Sequence, residues 1–293
     1  MSDFRLKVFQ SVAKNLSFTK ASQELFVSQP AITKHIQELE ATYQTRLFDR
    51  QGSKISLTES GRLLLEHCER ILEDYKRLEY EMHLLHNEYI GELKLGASTT
   101  IAQYVLPPLL GSFIGKFPQV NLSLLNGNSR EIEAALQEHR IDLGLVEGVF
   151  RLPNLKYTTF LEDELVAVVH SKSRLQLPEE ITPQDLPAIP LVLRERGSGT
   201  LDVIERSLQK HGVKLASLHV LMYLGSTESI KLFLENSDCM GIVSIRSICK
   251  ELAAGTFRVV EIKDMPMLRD FCFVQLQGQE GGLSQAFMNY MFM

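Results

Sequence analysis

The first 43 residues carry apolar side chains at helical spacing, in three short blocks that are separated by polar breaks. The first block covers residues 3–14. The second block, KASQELF, covers residues 20–26, and Thr19 is its expected N-cap. The third block covers residues 28–43. Two short helices are followed, after a tight turn, by a longer third helix. This order predicts a helix-turn-helix.

The third block has one apolar side and one polar side. Ile32, Ile36 and Leu39 recur at i, i+4 and i+7, and Ser28 and Pro30 form a helix-start signal in which the Ser28 hydroxyl should accept a first-turn N–H. The polar residues off this stripe are Gln29, Thr33, Lys34 and Gln37. Amides can pair with adenine edges and a helix N-terminus favours phosphate, so a DNA recognition helix is the functional interpretation. A merely solvated polar face is the alternative.

The next stretch, RLFDRQGSKISLT, predicts a β-wing after this helix. Its two strands should be Leu47-Phe48 and residues 55–57, joined by a glycine-containing turn at 49–54. Arg50 and Lys54 fall near the tip of the wing. We therefore expect both to contact the DNA backbone or the minor groove.

A long uninterrupted helix is predicted from residue 58 to residue 89. Its apolar or semi-apolar positions alternate in steps of four and three, and they are Leu64, Cys68, Ile71, Tyr75, Leu78, Met82, Leu85 and Tyr89. Such a heptad seam requires a partner helix, so we expect dimerisation through these side chains. Packing of the helix against its own chain is the alternative.

From residue 90 onward, short strands rich in Val, Leu and Ile alternate with amphipathic helices. This order predicts an α/β fold with a mostly parallel sheet. About 200 residues exceed one typical domain. We therefore expect two lobes, one of about 90–161 and 266–293 and the other of about 162–265, with a ligand cleft between them.

Four loops in this region place small polar residues at the end of a strand and the start of a helix, where ligands bind in open α/β sheets. Their residues are Ser98, Thr99, Thr100, Gly127, Asn128, Ser129, Ser198, Gly199, Thr200, Ser226 and Thr227. Glu147 lies at an expected hinge, and Arg196 in the third loop is placed to neutralise an anion. The alternatives are that each Ser or Thr is a simple N-cap and that Arg196 is a surface charge.

Composition excludes several classes of protein. The net charge is −5, but residues 1–60 contain eight Lys and Arg against six Asp and Glu, which gives +2 there and −7 for the remainder. No membrane-length apolar run or signal peptide is present, which predicts a cytoplasmic protein. Cys239 and Cys249 are expected to be small core residues. Metal-ligand spacings and catalytic motifs are absent, so no cofactor, metal or enzymatic activity is expected.

The stretch SFTKASQELFVSQPAITKHIQELEATYQTRLFDRQGSKISLTESG resembles the N-terminal signature of LysR-type transcriptional regulators. The downstream stretches GELKLGAST, FPQVNLSLLNGNSREI, DLGLVEG, LRERGSGT, LGSTESIK and GIVSI are similar to that family too. The resemblance implies a winged helix-turn-helix at 1–58, a linker helix at 59–89 and an effector-binding domain at 90–293 shaped like a two-lobed periplasmic binding protein. It also implies homodimers, which commonly form tetramers on promoter DNA.

The resemblance also implies roles for individual residues. The major-groove set is Gln29, Pro30, Thr33, Lys34 and Gln37, the phosphate set is Ser17 and Thr19, and Arg50 lies with its wing neighbours at the backbone or minor groove. The effector is expected to be an organic acid or an oxyanion in the cleft, although Arg196 departs from the apolar residue or proline common there. Two other classes are weighed against a DNA-binding regulator, namely an enzyme with accessory DNA binding and a solute-binding protein.

Overall fold

The computed structural model describes residues 4–51, 54–84, 89–278 and 281–292. The chain divides into two compact units, unit 1 at Met1–Glu88 and unit 2 at Tyr89–Met293. Within the described residues, no helix is long and apolar enough to cross a membrane.

The described residues of unit 1 form four helices and one two-stranded antiparallel sheet. Its elements are α1 (Phe4–Asn15), α2 (Phe18–Glu24), α3 (Gln29–Tyr43), β1 (Phe48–Gln51), β2 (Lys54–Leu57) and α4 (Glu59–Leu84). The predicted helix-turn-helix and wing are therefore confirmed. The start predicted for α2 is wrong, because the Ser17 hydroxyl, and not Thr19, caps this helix by accepting a hydrogen bond from the Lys20 N–H.

The core of unit 1 lies where α1, α3, α4 and the wing meet. Phe48 of β1 packs against Phe9 and Phe18, with ring centroids 5.5 and 5.8 Å apart. The wing is tied to α3 because the Glu40 carboxylate accepts the Leu47 N–H at 2.8 Å. The wing is tied to α4 because the Thr58 hydroxyl donates to the Arg46 carbonyl and accepts the Gly61 N–H.

The first part of the predicted heptad seam belongs to this core. Cys68 is fully buried and its thiol donates to the Leu6 carbonyl at 3.3 Å, while Leu64 and Leu72 pack against the same cluster. Burial raises the pKa of the Cys68 thiol to about 12. The dimerisation role predicted for Cys68 is therefore wrong, because its side chain is already enclosed by its own chain.

The later seam positions are different. Ile71, Leu78 and Met82 are 40%, 52% and 54% exposed in the isolated chain, and Tyr75 is half-buried. Leu85 lies outside the described residues. Dimerisation through this part of α4 stays a prediction, now supported by an apolar stripe that unit 1 leaves uncovered.

Unit 2 has ten strands and seven helices among its described residues. Its strands are β3 (Gly91–Ser98), β4 (Val120–Gly127), β5 (Leu143–Glu147), β6 (Leu155–His170), β7 (Glu180–Ile181), β8 (Leu191–Arg194), β9 (Val220–Leu224), β10 (Met240–Ser244), β11 (Phe257–Ile262) and β12 (Met267–Leu276). Its α-helices are α5 (Thr99–Tyr104), α6 (Leu106–Lys116), α7 (Ser129–Gln137), α8 (Gly199–Lys210), α9 (Thr227–Glu235), α10 (Cys249–Ala253) and α11 (Gly282–Met291). Short 3-10 helices lie at Pro183–Ala188, Leu215–Ser217 and Ile245–Ser247.

Eight strands of unit 2 follow the order β4-β3-β5-β12-β6-β10-β8-β9, and β11 pairs with both β6 and β7. We call β3 to β5 with α5 to α7 and α11 lobe I, and β7 to β11 with α8 to α10 lobe II. Within each lobe the outer strands pair in parallel, as predicted, whereas β12 and β6 are antiparallel to each other and to their neighbours. These two long central strands pass through both lobes.

The pairing of β6 with β12 bears on the passage predicted between the lobes. The register shifts between Phe271 and Cys272, so that Phe160 is left without a paired residue. The passage between the lobes near 161 stays a prediction, which this irregularity supports. The return near 265 also stays a prediction, since Met267–Asp270 pair with residues 162–165 of β6 and the register shift follows at Cys272.

Two further elements differ from what the sequence pattern predicts. The amphipathic stretch at 101–117 forms two helices instead of one, and they meet at Val105, after which α6 begins with prolines in its first turn. Proline lacks the N–H that a continuous helix would need. The C-terminal helix α11 was not predicted, and it packs on β3 and α6 through Phe287, whose ring lies 5.1 Å from that of Phe113.

Candidate functional site

Helix α3 presents its predicted polar face to solvent. Ile32, Ile36 and Leu39 are at most 3% exposed and fix the opposite face in the core of unit 1. The exposed predicted DNA contacts on this helix are Gln29, Pro30, Lys34 and Gln37. Thr33 is half-buried, and its hydroxyl donates to the Gln29 carbonyl at 3.1 Å. The Thr33 hydroxyl oxygen therefore remains available to accept a hydrogen bond from a DNA base.

The start of α3 is not capped as predicted. Ser28 occupies the N-cap position in extended backbone, and its carbonyl accepts the Ile32 N–H, but its side chain makes no capping hydrogen bond. The predicted hydroxyl cap is thus wrong. An uncapped helix start suits a phosphate, because first-turn N–H groups and the helix dipole both favour an anion.

The other predicted DNA contacts lie on α2 and the wing. Thr19 is exposed on the first turn of α2, next to the capping residue Ser17. Arg50 pairs with Ile55 across the wing, and Lys54 pairs with Gln51. The side chains of Arg50 and Lys54 lie outside the described part of the structure, so their DNA contacts stay predictions.

In unit 2, hydrogen bonds bring three of the four predicted loops together between the lobes. The Arg194 guanidinium at the end of β8 donates to the Thr99 hydroxyl at 3.3 Å, and the Arg130 N–H donates to the Gly197 carbonyl at 3.3 Å. Gly199 lies so close to the Glu147 carbonyl that a Cβ would overlap it. The ends of β3, β4, β5 and β8 therefore converge, as expected of a ligand cleft in an α/β fold.

The fourth loop joins the cleft through a bond from α5 to α9. The Tyr104 hydroxyl donates to the Glu228 carboxylate, one residue after Thr227. Burial, followed by this bond, raises the pKa of Tyr104 far above its ordinary value. Burial alone would raise the pKa of Glu228, but hydrogen bonds from Lys231 and Tyr104 hold it below its usual range. The loop at Ser226 and Thr227 is thus connected to lobe I by a charge-assisted hydrogen bond.

Several of the predicted hydroxyls already use their proton within the protein. Ser98 donates to the Glu147 carboxylate, Thr99 donates to the Gly127 carbonyl, and Ser129 donates to the Glu147 carbonyl. An anion needs donors, so these three hydroxyls can contribute little to binding one. By contrast, the Thr100 hydroxyl is buried and has no hydrogen-bond partner among the described residues.

Three further predicted residues have helix-capping roles. Asn128 caps α7 by accepting the Glu131 N–H, and Ser198 caps α8 by accepting the Thr200 N–H. Ser226 caps α9 by accepting the Ser229 N–H. Asn128 keeps its amide N–H groups and Ser198 its O–H group beyond the cap, whereas the Ser226 hydroxyl is also hydrogen-bonded to the Ser229 hydroxyl. The N-cap alternative and the ligand interpretation are therefore compatible at these positions.

A second arginine, Arg194, lies two residues before the predicted Arg196 and is bonded into the converging loops. Arg196 is exposed, which favours the surface-charge alternative for that residue. Arg194 is 1% exposed, and Glu195 accepts two hydrogen bonds from it, at 2.8 Å from Nε and 3.1 Å from Nη2. Its Nη1 atom is buried without a partner among the described residues. A charged residue ending the apolar run IPLVLR was the signal for it in the sequence.

Two further buried charges, Asp163 and Arg269, were also missed. They face each other across β6 and β12, and Arg269 Nη1 lies 3.5 Å from the Glu147 carboxylate. Charged residues inside otherwise apolar strands, as in LEDELVAVV and MLRDFCF, were the available signal.

The cysteines and potential metal ligands add no site. Cys239 is buried as expected, but the expectation for Cys249 is wrong because it is exposed at the start of α10. Among the residues that the structure describes, no three His, Cys, Asp or Glu side chains are grouped to hold a metal ion.

Two protein-family models match the chain. Residues 4–62 match the bacterial regulatory helix-turn-helix protein, lysR family, and residues 86–292 match the LysR substrate binding domain. Together the two matches cover most of the sequence, and the gap between them falls within the long helix α4 and the residues that follow it.

Individual relatives agree with these matches. The chain is 34% identical to the HTH-type transcriptional regulator YeiE of Escherichia coli K12 over 258 residues, which are 88% of this chain and 85% of YeiE. The CcmR regulatory domain of Synechocystis PCC6803, solved in complex with 2-PG, is 28% identical with a TM-score of 0.62, over 69% of this chain and 96% of that domain. Full-length CbnR, solved with its target DNA, shares the fold at 23% identity and a TM-score of 0.62, over 99% of both chains.

Proposed function

Because this chain belongs to the LysR family of transcriptional regulators, we propose that it binds promoter DNA through α3 and the wing, and a small anionic effector between lobes I and II. The family consists of DNA-binding regulators with an effector-binding domain. The parts proposed here are the groups that make the contacts and the charge of the effector.

On the DNA side, the proposal assigns base reading to the exposed amides and affinity to the exposed charge. Gln29 and Gln37 can each pair bidentately with adenine, whereas Lys34 contacts guanine or phosphate as a point charge. Ser17, Thr19, Arg50 and Lys54 are assigned to the backbone. A net charge of +2 in residues 1–60 gives one copy little affinity, so two copies on two half-sites are needed.

The exposed stripe of Ile71, Leu78 and Met82 supplies the dimer contact in this proposal. Each of these side chains gains by burial against the same stripe of a second copy. Members of the family form oligomers, and a homodimer that associates further into a tetramer is consistent with this stripe.

The anionic character of the effector is carried by one observation, the buried Nη1 of Arg194 that has no partner among the described residues. A buried guanidinium N–H without an acceptor is costly, and a ligand oxygen would supply the acceptor. The unpartnered Thr100 hydroxyl provides a second donor from lobe I. CcmR, whose regulatory domain was solved with 2-PG, provides a precedent for a small ligand in this kind of domain.

Arg194 and Thr100 belong to different lobes, so an anion that both contact favours one lobe arrangement over others. Lobe closure would then change how the copies of the regulator are placed on promoter DNA.

Thermal-shift and calorimetric titration of the full chain test this proposal. The panel is inorganic phosphate, sulfate and 2-PG, with glycerol as the neutral compound and tetramethylammonium as the cation at matched ionic strength. At least one anion should raise the melting temperature by several degrees, because a ligand at about 100 times its Kd stabilises by about 2.7 kcal/mol.

Arg194→Gln should abolish this shift, and Arg196→Gln is the matched control because it removes the same charge two residues away at an exposed position. Loss of the shift in both variants, or stabilisation by neutral and cationic compounds alone, would contradict an anion-binding cleft at Arg194.

A further inference from the structure

Arg269 lies at the junction of the two lobes and is not part of the predicted effector set. Its side chain is fully buried, and it faces Asp163 across the two central strands β12 and β6. The Nε atom donates to the Asp163 carboxylate at 2.8 Å. Nη2 lies 2.8 Å from the same oxygen as an ion pair, but it makes no hydrogen bond among the described residues.

The remaining nitrogen of Arg269 reaches both lobes. Nη1 donates to the Thr200 hydroxyl of lobe II at 2.9 Å and lies 3.5 Å from the Glu147 carboxylate of lobe I. A planar guanidinium with five donors can make these contacts together, whereas the ammonium of a lysine cannot span them. One side chain therefore connects the central strands, the end of β5 and the start of α8.

These bonds determine what the neighbouring hydroxyls can offer a ligand. The Thr200 oxygen accepts from Arg269, so its own proton must point away from the guanidinium and is available for a ligand acceptor. On the other side, the Glu147 carboxylate accepts a hydrogen bond from the Ser98 hydroxyl. Thr200 is thus oriented as a donor, the polarity that an anion requires.

We propose that Arg269 is a positioning residue of the effector site, which acts by holding the Thr200 hydroxyl as a donor. The proposal rests on the proposed function, since it assumes that an anion occupies the cleft. In this proposal Arg269 acts through the Thr200 hydroxyl and not by contacting the ligand itself.

The test is a double-mutant cycle on the full chain, read as the Kd for inorganic phosphate by calorimetric titration. Arg269→Lys and Thr200→Val should each weaken binding by about tenfold, the typical effect of losing a hydrogen bond to a charged group. The double variant should bind no more weakly than Thr200→Val alone, because Arg269 acts through that hydroxyl. Additive losses would overturn the proposal.

Arg246→Lys is the matched control. Arg246 also approaches Asp163, at 3.5 Å, but it is partly exposed and bonds to the Glu162 carbonyl. This variant should bind phosphate like the unaltered chain. Equal weakening in Arg246→Lys and Arg269→Lys would mean that loss of the ion pair alone disturbs the site, and would overturn the proposal.

If Arg269→Lys does not fold, Thr200→Ser against Thr200→Val decides the question. Serine keeps the hydroxyl and should bind within about twofold of threonine, whereas equal binding by the valine variant would overturn the positioning role. Failure of the unaltered chain to bind phosphate, sulfate and 2-PG would overturn the proposed function itself, a result distinct from any difference among the variants.

Discussion

Helices α3 and α8 both begin after a serine, but they make their functional groups available in opposite ways. At α3 the polar side chains are exposed, and Ser28 leaves the helix without a side-chain cap. At α8 the first residues are buried, Ser198 caps the helix, and Gly199 is pressed against the Glu147 carbonyl. The first start faces solvent, where a macromolecule can bind, and the second is enclosed between two lobes.

This difference explains why the sequence predicted the two regions unequally well. The exposed face of α3 follows from the spacing of Ile32, Ile36 and Leu39 alone, because helical periodicity fixes what points outward. At α8 the sequence located the loop, but the free donors depend on Glu147 and Arg269, which are distant along the chain. No local pattern shows whether a hydroxyl proton is already used.

Gly199→Ala is expected to have the largest effect. A Cβ at residue 199 would overlap the Glu147 carbonyl oxygen, which is backbone and cannot easily move. We expect unit 2 to lose about 3 kcal/mol of stability, or the lobes to separate with loss of anion binding. Denaturant unfolding of the full chain and the phosphate titration measure these two outcomes.

Gly115→Ala is the control, because residue 115 lies in α6 with nothing within 4 Å of the added methyl group. It should leave stability unchanged or raise it by up to about 1 kcal/mol. Normal stability and normal phosphate binding in Gly199→Ala would show that the start of α8 is not closed against lobe I in solution.

Leu78→Asp tests whether the exposed apolar stripe of α4, which also follows from helical periodicity, is the dimer contact. The aspartate replaces an apolar contact in each copy of a dimer, at a loss of about 2–3 kcal/mol, or up to about a hundredfold in the dimer Kd. Sedimentation equilibrium across a concentration series gives that constant.

Leu63→Asp makes the same change at a residue of α4 that is 59% exposed but off the stripe, and it should leave the dimer intact. If both variants, or neither, changed the dimer Kd, the stripe of Ile71, Leu78 and Met82 would not be the dimer contact.

Lys34→Ala and Gln37→Ala separate affinity from sequence reading on α3, with the smallest expected effects. The lysine variant should weaken all DNA sites alike and reduce the salt slope by about one unit, whereas the glutamine variant should change the preference between sites by about 1–3 kcal/mol. Fluorescence anisotropy with several operator sequences at several salt concentrations measures both. A change of preference caused by Lys34→Ala would reverse the assigned roles.

The fold itself was largely predictable, and its errors have local causes. The alternation of apolar strands and amphipathic helices gave the α/β order of unit 2, but the prolines after Val105 divided one predicted helix. The heptad spacing of α4 predicts one dimer interface along the whole helix, because spacing does not distinguish contacts within a chain from contacts between chains. Cys68 is enclosed by α1, more than sixty residues earlier, and only the folded chain shows this.

The attachment of α4 has a geometric consequence. The helix is held in the core of unit 1 as far as Leu72, and the twelve residues from there to Leu84 extend about 18 Å at about 1.5 Å per residue. A change of about 10° in the direction of this arm displaces its end by roughly 3 Å, which is small against the half-site period of about 34 Å. In a dimer joined along α4, small changes in the direction of this helix would adjust the distance between the two copies of α3. Each copy of α3 could still contact its own segment of the major groove.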